Sequence, residues 1–138
     1  MLITQYGSNG FLLNRRFPAV FIAGGVGISP FRSMIKELVD TDTKLDITLI
    51  YQNRTDDFSF RSDLDAWARV YPSLTTHYVA TGTDGRLTRQ RLQALVPDIA
   101  DRQPLCYIAG PPDMVDRMEK LVPALGIDKD DIRTDRFN

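Results

Sequence analysis

The sequence predicts an α/β fold, a doubly wound five-stranded parallel sheet in the order 3-2-1-4-5 with helices on both faces. The first observation is a rhythm of short apolar runs that begin at residues 19, 45, 74 and 105, and therefore 26, 29 and 31 residues apart. This spacing is close to the ~30 residues of a strand–helix–strand unit. The second observation is that helical patterns fill the gaps between the runs. Strands that alternate with helices through right-handed crossovers give a parallel sheet covered on both faces.

Each apolar run is short and rich in β-branched or aromatic residues, as buried strands are. The predicted strands cover residues 19–23, 45–52, 74–81 and 105–109, and a final extended piece, residues 132–137, is the fifth. In such a sheet, ligands bind beyond the carboxyl ends of the strands, where the strand order reverses. With this order, that point lies between the first and fourth strands.

The first predicted helix follows the first strand, and its apolar residues recur at the i, i+3, i+4, i+7 spacing of one buried face. That face consists of Phe31, Met34, Ile35 and Leu38. Ser29 is the expected N-cap, and Pro30 suits the first helical position.

Three further helices are predicted. The second places Leu64, Trp67, Ala68 and Tyr71 on one face, the third covers about residues 88–96, and the fourth runs from Met114 to Leu125 with Gly126 just past its end. Pro123 lies inside the fourth pattern. Because proline lacks a backbone N–H and crowds the preceding turn, we expect this helix to bend or end near Val122.

Composition limits the classes of protein that the chain can represent. Its 138 residues are 43% hydrophobic and 25% charged, as in an ordinary single globular domain. One cysteine and one histidine exclude an internal disulfide and leave too few ligands for a zinc site, so we expect no metal. A net charge of −1 offers no basic field for nucleic acid. The chain has no apolar stretch of the ~18–20 residues that a transmembrane segment requires.

Charge is distributed unevenly along the chain. The first 36 residues contain no acidic residue, and their basic residues are Arg15, Arg16, Arg32 and Lys36. An acid-free stretch around a glycine-rich turn suits an anionic ligand. The alternative, equally good on charge alone, is that so short a stretch lacks acidic residues by chance.

A glycine-rich segment joins the first strand to the first helix. It reads Gly24-Gly25-Val26-Gly27-Ile28-Ser29-Pro30. Glycines let the backbone turn sharply and approach a ligand, and the following helix N-terminus presents free N–H groups to a phosphate. The pattern is G-x-G-x-x-P rather than G-x-G-x-x-G, and it lacks the lysine of a P-loop. The alternative is a tight turn without a ligand.

A second candidate segment follows the fourth strand. It reads Gly110-Pro111-Pro112-Asp113-Met114. Two prolines fix the backbone and begin a helix without N–H donors. A rigid wall opposite the glycine loop is what a flat ring such as nicotinamide requires, and the alternative is simply a stiff helix start.

These segments carry a resemblance to a known family. Residues 20–31, residues 107–114 and the last strand resemble, in order, the hallmark segments of the nicotinamide-nucleotide domain of the ferredoxin–NADP reductase family. The resemblance covers about residues 18–138, whereas residues 6–13 resemble the end of the flavin-binding β-barrel that precedes this domain in the family. We therefore expect residues 1–17 to be a barrel remnant or an edge hairpin.

The resemblance implies a function. In this family a hydride passes from nicotinamide C4 to N5 of an FAD or FMN that the barrel holds. The Arg-x-Tyr-Ser/Thr segment that grips the flavin phosphate in the family is absent from this sequence. We therefore expect the chain to bind NAD(P)H but to need a flavin-binding domain or subunit as partner, so that flavin is present only in the complete enzyme.

One position departs from the family pattern. Many members have a cysteine immediately before Gly-Pro-Pro, near the nicotinamide, and this sequence has Ala109 there. Cys106 lies three residues earlier, an odd offset that directs its side chain to the other face of the strand. We expect Cys106 to be a small core residue, and no catalytic side chain is assigned.

The loop after the second strand bears on the choice of nucleotide. The resemblance places it at the adenosine ribose, so Asn53, Arg54 and Asp57 are candidate binding residues. A 2′-phosphate favours cationic partners and a free 2′-hydroxyl favours a carboxylate. Arg54 and Arg61 favour NADPH, whereas Asp57 aligns with the aspartate of NADH-using members, and we favour NADH over NADPH. The alternative is a solvated loop.

The sequence leaves two further segments with alternative interpretations. Residues 81–86 resemble a family loop near the nucleotide or form a flexible connection. Phe137 either lies near the flavin, as C-terminal aromatic residues do in the family, or is an ordinary apolar residue of the last strand. The leading hypothesis is the NAD(P)H-binding part of a flavin-dependent reductase, in the cytoplasm or on the cytoplasmic side of a membrane-associated enzyme, with an unknown downstream electron acceptor. The alternative is a non-catalytic NAD(P)H-binding regulatory module. A phospho-accepting receiver domain is disfavoured because the first and third strands do not end in acidic residues.

Overall fold

The structure, a computed structural model, describes residues 11–137. Five strands form one parallel sheet in the order β3-β2-β1-β4-β5, which confirms the predicted fold class and strand order. The strands are β1 Ala19–Gly24, β2 Ile47–Asn53, β3 Leu74–Ala80, β4 Leu105–Gly110 and β5 Ile132–Arg136. The central strand β1 pairs with both β2 and β4, so the carboxyl ends of these three strands lie side by side.

Helices cover both faces of the sheet. They are α1 Ile28–Asp40, α2 Arg61–Val70, α3 Thr81–Asp84, α4 Arg89–Leu95, α5 Ile99–Arg102 and α6 Pro112–Leu121. The four longer helices match the predicted ones, whereas α3 and α5 are single turns that no apolar periodicity signals. Helices α1 and α2 pack on one face and α4, α5 and α6 on the other.

Each strand divides its side chains between two cores because successive side chains point to opposite faces. Phe21 and Tyr107 belong to the core under α1, where the Phe21 ring stacks on Phe31 with 4.5 Å between centroids. Ile22 and Ile108, one residue further along, belong to the core under α6. Burial of both faces explains why the central strands read as continuous apolar runs.

The predicted N-cap at Ser29 is wrong. Helix α1 begins at Ile28 with Gly27 as its N-cap, and a 3-10 turn over Gly25–Gly27 leads into it. The φ of Gly25 is +53°, so the chain begins to coil as soon as β1 ends. Pro30 lies in the first turn, where a helix needs no N–H donor.

The fourth predicted helix ends early, as expected from Pro123. Helix α6 stops at Leu121, and Val122–Leu125 continues as a 3-10 turn. Gly126 follows in the left-handed region with a φ of +99°.

The segment before β1 packs against the α1 side of the sheet. The Phe11 ring lies 5.9 Å from Tyr107 and 5.8 Å from Phe31, and the backbone N–H of Asn14 donates to the Tyr107 hydroxyl at 2.9 Å. Most of the proposed barrel remnant falls on residues 1–10, outside the described residues, and the division at residue 17 stays a prediction. Across residues 11–137, each helix is too short or too polar to cross a bilayer.

Candidate functional site

A cleft opens at the carboxyl ends of β1, β2 and β4, where the strand order reverses. It has a volume of about 280 Å³. Its lining consists of Gly24, Gly25, Gln52, Asn53, Arg54, Thr81, Pro111 and Met114. Six of these residues were predicted site residues from three separate segments, so the fold brings the glycine loop, the β2 loop and the proline segment to one place.

A close backbone contact sets the shape of the cleft. A Cβ placed on Gly27 would lie 2.1 Å from the carbonyl oxygen of Ala109 and 2.7 Å from the backbone nitrogen of Gly110. No side chain fits in that space, so the glycine lets the start of α1 rest directly on the end of β4. This contact places the positive end of the α1 dipole beside the cleft, while the Ile28 N–H is bonded to the Gly25 and Val26 carbonyls and Pro30 has no N–H.

Met114 fills the floor between the two strand ends. A Cβ on Gly24 would lie 3.1 Å from the Met114 sulfur, and one on Gly110 would lie 2.9 Å from it. The glycines therefore leave room for the thioether, which covers both strand ends and presents an apolar surface to the cleft.

The remaining predicted residues lie around the cleft. Val26, at 63% exposure, and Ser29 are at the surface of the glycine loop, whereas Ile28 and Pro30 are buried beneath it. Pro112 begins α6 and is half-buried. The N–H of Phe137 donates to the Gly110 carbonyl at 2.8 Å, and the half-buried ring packs against the core under α1.

The β2 loop is held by its own hydrogen bonds. The Asn53 amide donates to the Asp57 carbonyl at 2.9 Å, and the Gly82 N–H donates to the Arg54 carbonyl at 2.8 Å. Both Arg54 and Asp57 have exposed side chains, but only Arg54 lines the cleft.

Arg61 is engaged elsewhere. Its guanidinium lies 4.2 Å from the centre of the Tyr78 ring and 3.7 Å from the Asp65 carboxylate. Arg61 is absent from the lining of the cleft. One of the two arginines that favoured NADPH in the sequence therefore serves the packing of α2 instead.

A side pocket of about 250 Å³ adjoins the cleft. It shares Gln52, Thr81, Pro111 and Met114 with the cleft and adds Arg86, Asp113 and Arg117. Thr81 and Arg86 belong to residues 81–86, the segment that resembles a family loop near the nucleotide. Gln52 and Arg117 were missed, although a polar residue inside the β2 apolar run was a usable signal for Gln52.

Ala109 and Cys106 lie on opposite faces of β4, as expected. Ala109 is fully buried in the core under α1 and Cys106 in the core under α6. Burial raises the pKa of the Cys106 thiol to about 12, which keeps it protonated and unreactive at neutral pH. In the described part of the chain, His, Cys, Asp and Glu side chains form no cluster that could hold a metal ion.

Comparison with known proteins agrees with this geometry. A family model described as the oxidoreductase NAD-binding domain matches residues 21–120, which is most of the chain. This chain belongs to the oxidoreductase NAD-binding domain family. An NADH-cytochrome b5 reductase 1 from Scheffersomyces stipitis is 34% identical over 78% of the chain, and the aligned part is 41% of that protein. This NAD-binding domain thus spans about two fifths of the length of that relative.

Solved structures share the fold of this NAD-binding domain. A flavohemoglobin from Malassezia yamatoensis superposes with a TM-score of 0.76 at 19% identity, covering 93% of this chain and 33% of that one. The cytochrome b5 reductase domain of Ulva prolifera nitrate reductase gives a TM-score of 0.72 at 22% identity, covering 87% of this chain and 48% of that one.

Proposed function

We propose that the domain binds a reduced nicotinamide dinucleotide in the cleft and positions nicotinamide C4 for hydride transfer to a flavin held by a separate domain. The observation that carries this proposal is the contact of Gly27 with Ala109, because it joins a helix N-terminus to the proline wall across the reversal point. A bound dinucleotide supplies two electrons and a proton as a hydride, so the domain needs no acid or base of its own.

Each part of the dinucleotide is assigned to one segment around the cleft. The pyrophosphate lies over the loop from Gly24 to Ser29, where the positive end of the α1 dipole favours negative charge. The nicotinamide lies against Gly110, Pro111, Pro112 and Met114, with Phe137 beside them. The adenosine ribose lies at Asn53, Arg54 and Asp57.

NADH is the proposed nucleotide. The exposed Asp57 carboxylate suits a free 2′-hydroxyl and repels a 2′-phosphate. The Arg61 guanidinium stacks on Tyr78, and this contact competes with any contact to such a phosphate. Relatives named NADH-cytochrome b5 reductase support the same choice.

The flavin belongs to a partner domain in this proposal. The sequence has no Arg-x-Tyr-Ser/Thr segment, and the open cleft of about 280 Å³ is already assigned to the dinucleotide. An FAD-binding or FMN-binding barrel, in the same polypeptide or in another subunit, completes the reductase.

The test is hydride transfer to a supplied flavin. The chain is fused behind the flavin-binding barrel of a reductase of this family, and NADH is added without oxygen. The proposal predicts rapid bleaching of the flavin band near ~450 nm, whereas the barrel alone stays oxidised. A fusion that binds NADH yet leaves the flavin oxidised would favour the non-catalytic regulatory module instead.

A further inference from the structure

The side chain of Gln52, near the end of β2, carries a buried polar nitrogen. Gln52 is only 6% exposed, and its Nε2 has no hydrogen-bond partner among the described residues. A buried amide without a partner costs roughly 1–3 kcal/mol of desolvation. A group that destabilises the ligand-free domain in this way points to a partner that arrives with a ligand.

The position of Gln52 indicates which ligand. In the sheet, Gln52 pairs with Gly24, the last residue of β1 before the glycine turn. Its side chain lies on the same face as Ile50, towards α6, because side chains two residues apart share a face. Gln52 lines both the cleft and the side pocket, so its amide lies beside the loop proposed for the pyrophosphate.

The charges around Gln52 favour an anion. The charged residues lining the cleft and the side pocket are Arg54, Arg86, Arg117 and Asp113, three positive and one negative. One of these arginines is held through its side chain, because the Arg117 guanidinium donates to the Leu87 carbonyl. The backbone of the loop that carries Arg86 is held by Arg91, which donates to the carbonyls of Gly85 and Arg86 at 2.7 and 3.2 Å. An amide N–H among these cations suits a phosphate oxygen.

We infer that Gln52 is a dinucleotide-binding residue whose Nε2 donates to a pyrophosphate oxygen, with Arg86 and Arg117 in the side pocket supplying a positive field. This inference rests on the proposed function and adds a residue that the glycine-loop pattern does not contain. It also gives Gln52 opposite effects in two states: the amide weakens the ligand-free domain and strengthens the complex.

The test compares Gln52→Leu and Gln52→Glu with matched changes at the exposed Gln93 of α4, by calorimetry with NADH, NADPH and ADP. Loss of a hydrogen bond to a charged group predicts about tenfold weaker binding of all three by Gln52→Leu, and a larger loss by Gln52→Glu. Thermal melting without nucleotide is expected to be unchanged or higher for Gln52→Leu. The Gln93 variants should bind as the wild type does.

Three results would overturn the inference while leaving the proposed function intact. The first is wild-type affinity of Gln52→Leu for NADH and ADP. The second is a loss confined to NADPH, which would assign the amide to a 2′-phosphate. The third is a melting temperature of Gln52→Leu well below the wild-type value, which would show a structural role. Failure of the wild type to bind either dinucleotide would overturn the proposed function itself.

Discussion

Gly27, the N-cap of α1, and Ala109 of β4 are in direct backbone contact, so close that a Cβ added to Gly27 would lie only 2.1 Å from the Ala109 carbonyl oxygen. This contact joins the glycine loop to the proline wall and places a helix N-terminus at the point where the strand order reverses. The cleft and its proposed ligand both depend on it.

Gly27→Ala is expected to destabilise the domain by at least about 2 kcal/mol, because backbone atoms on both sides cannot yield to the added methyl group. NADH affinity should fall with it, since α1 must move away from β4. Urea unfolding and calorimetry measure the two effects. Gly25→Ala is the comparison for stability alone. Its added Cβ meets no atom within 4 Å, so the only expected cost is about 1 kcal/mol for a non-glycine residue at a left-handed φ. Equal stability of Gly27→Ala and the wild type would contradict the prediction.

Asp57→Ser is expected to shift nucleotide preference towards NADPH by about fivefold, because a carboxylate that repels the 2′-phosphate is removed. The loop should keep its shape, since Asp57 contributes its backbone carbonyl to Asn53 and its N–H to Thr55. The ratio of the NADH and NADPH dissociation constants is the measurement, with Asp56→Ser as the control. A wild type that binds NADPH tenfold tighter than NADH would refute the preference.

Ala109→Cys in the flavin-containing fusion is expected to change turnover by less than about tenfold, because hydride transfer needs no protein acid or base. The Ala109 side chain is fully buried in the core under α1, so the added sulfur lies among core atoms and costs about 1 kcal/mol by overpacking. Stopped-flow reduction of the flavin measures the rate. A change of several orders of magnitude would mean that this position takes part in the chemistry.

Stability should fall in alkali through Cys106. Its folded pKa is about 12 and its ordinary value is 9.0, so the unfolded chain releases the proton first. The stabilisation is complete below pH 9.0 and is lost as the pH rises towards 12, by at most about 1.4 kcal/mol per pH unit. Denaturant unfolding between pH 9 and 10 measures this loss, to which buried tyrosines such as Tyr51 add with the same sign because burial raises their pKa values above 10.0, so a variant without Cys106 is needed to isolate the thiol.

Cys106→Ala is the matched variant for that measurement. It should be less stable at neutral pH, because it leaves a small cavity, but its stability should change less between pH 9 and 10. Identical slopes for the two proteins would show that Cys106 is not responsible. Rapid labelling of the native thiol at neutral pH would contradict its burial.

The spacing of apolar runs was sufficient to predict the sheet, because burial on both faces makes each central strand a continuous apolar segment. Pro123 likewise marked the end of α6 through its missing N–H. The start of α1 was harder. Ser29 has the chemistry of an N-cap, but Gly25 takes a left-handed φ of +53° and begins the coil earlier, which no side-chain preference reveals.

Part of the site was predictable from local sequence. Glycine and proline segments at strand ends indicate tight turns and helix starts, because these residues are favoured by the backbone geometry of that segment alone. The engagement of Arg61 with Tyr78 and the isolation of Gln52 depend on side chains from other elements, so they became visible only in three dimensions.

The most direct test of the central claim is a side-by-side calorimetric titration of the wild-type chain with NADH and NADPH, with and without added FAD. The account predicts one NADH per chain, weaker NADPH, no binding of FAD, and purified protein without the flavin band near ~450 nm. Absence of dinucleotide binding, or a stoichiometric flavin retained by the chain alone, would contradict it.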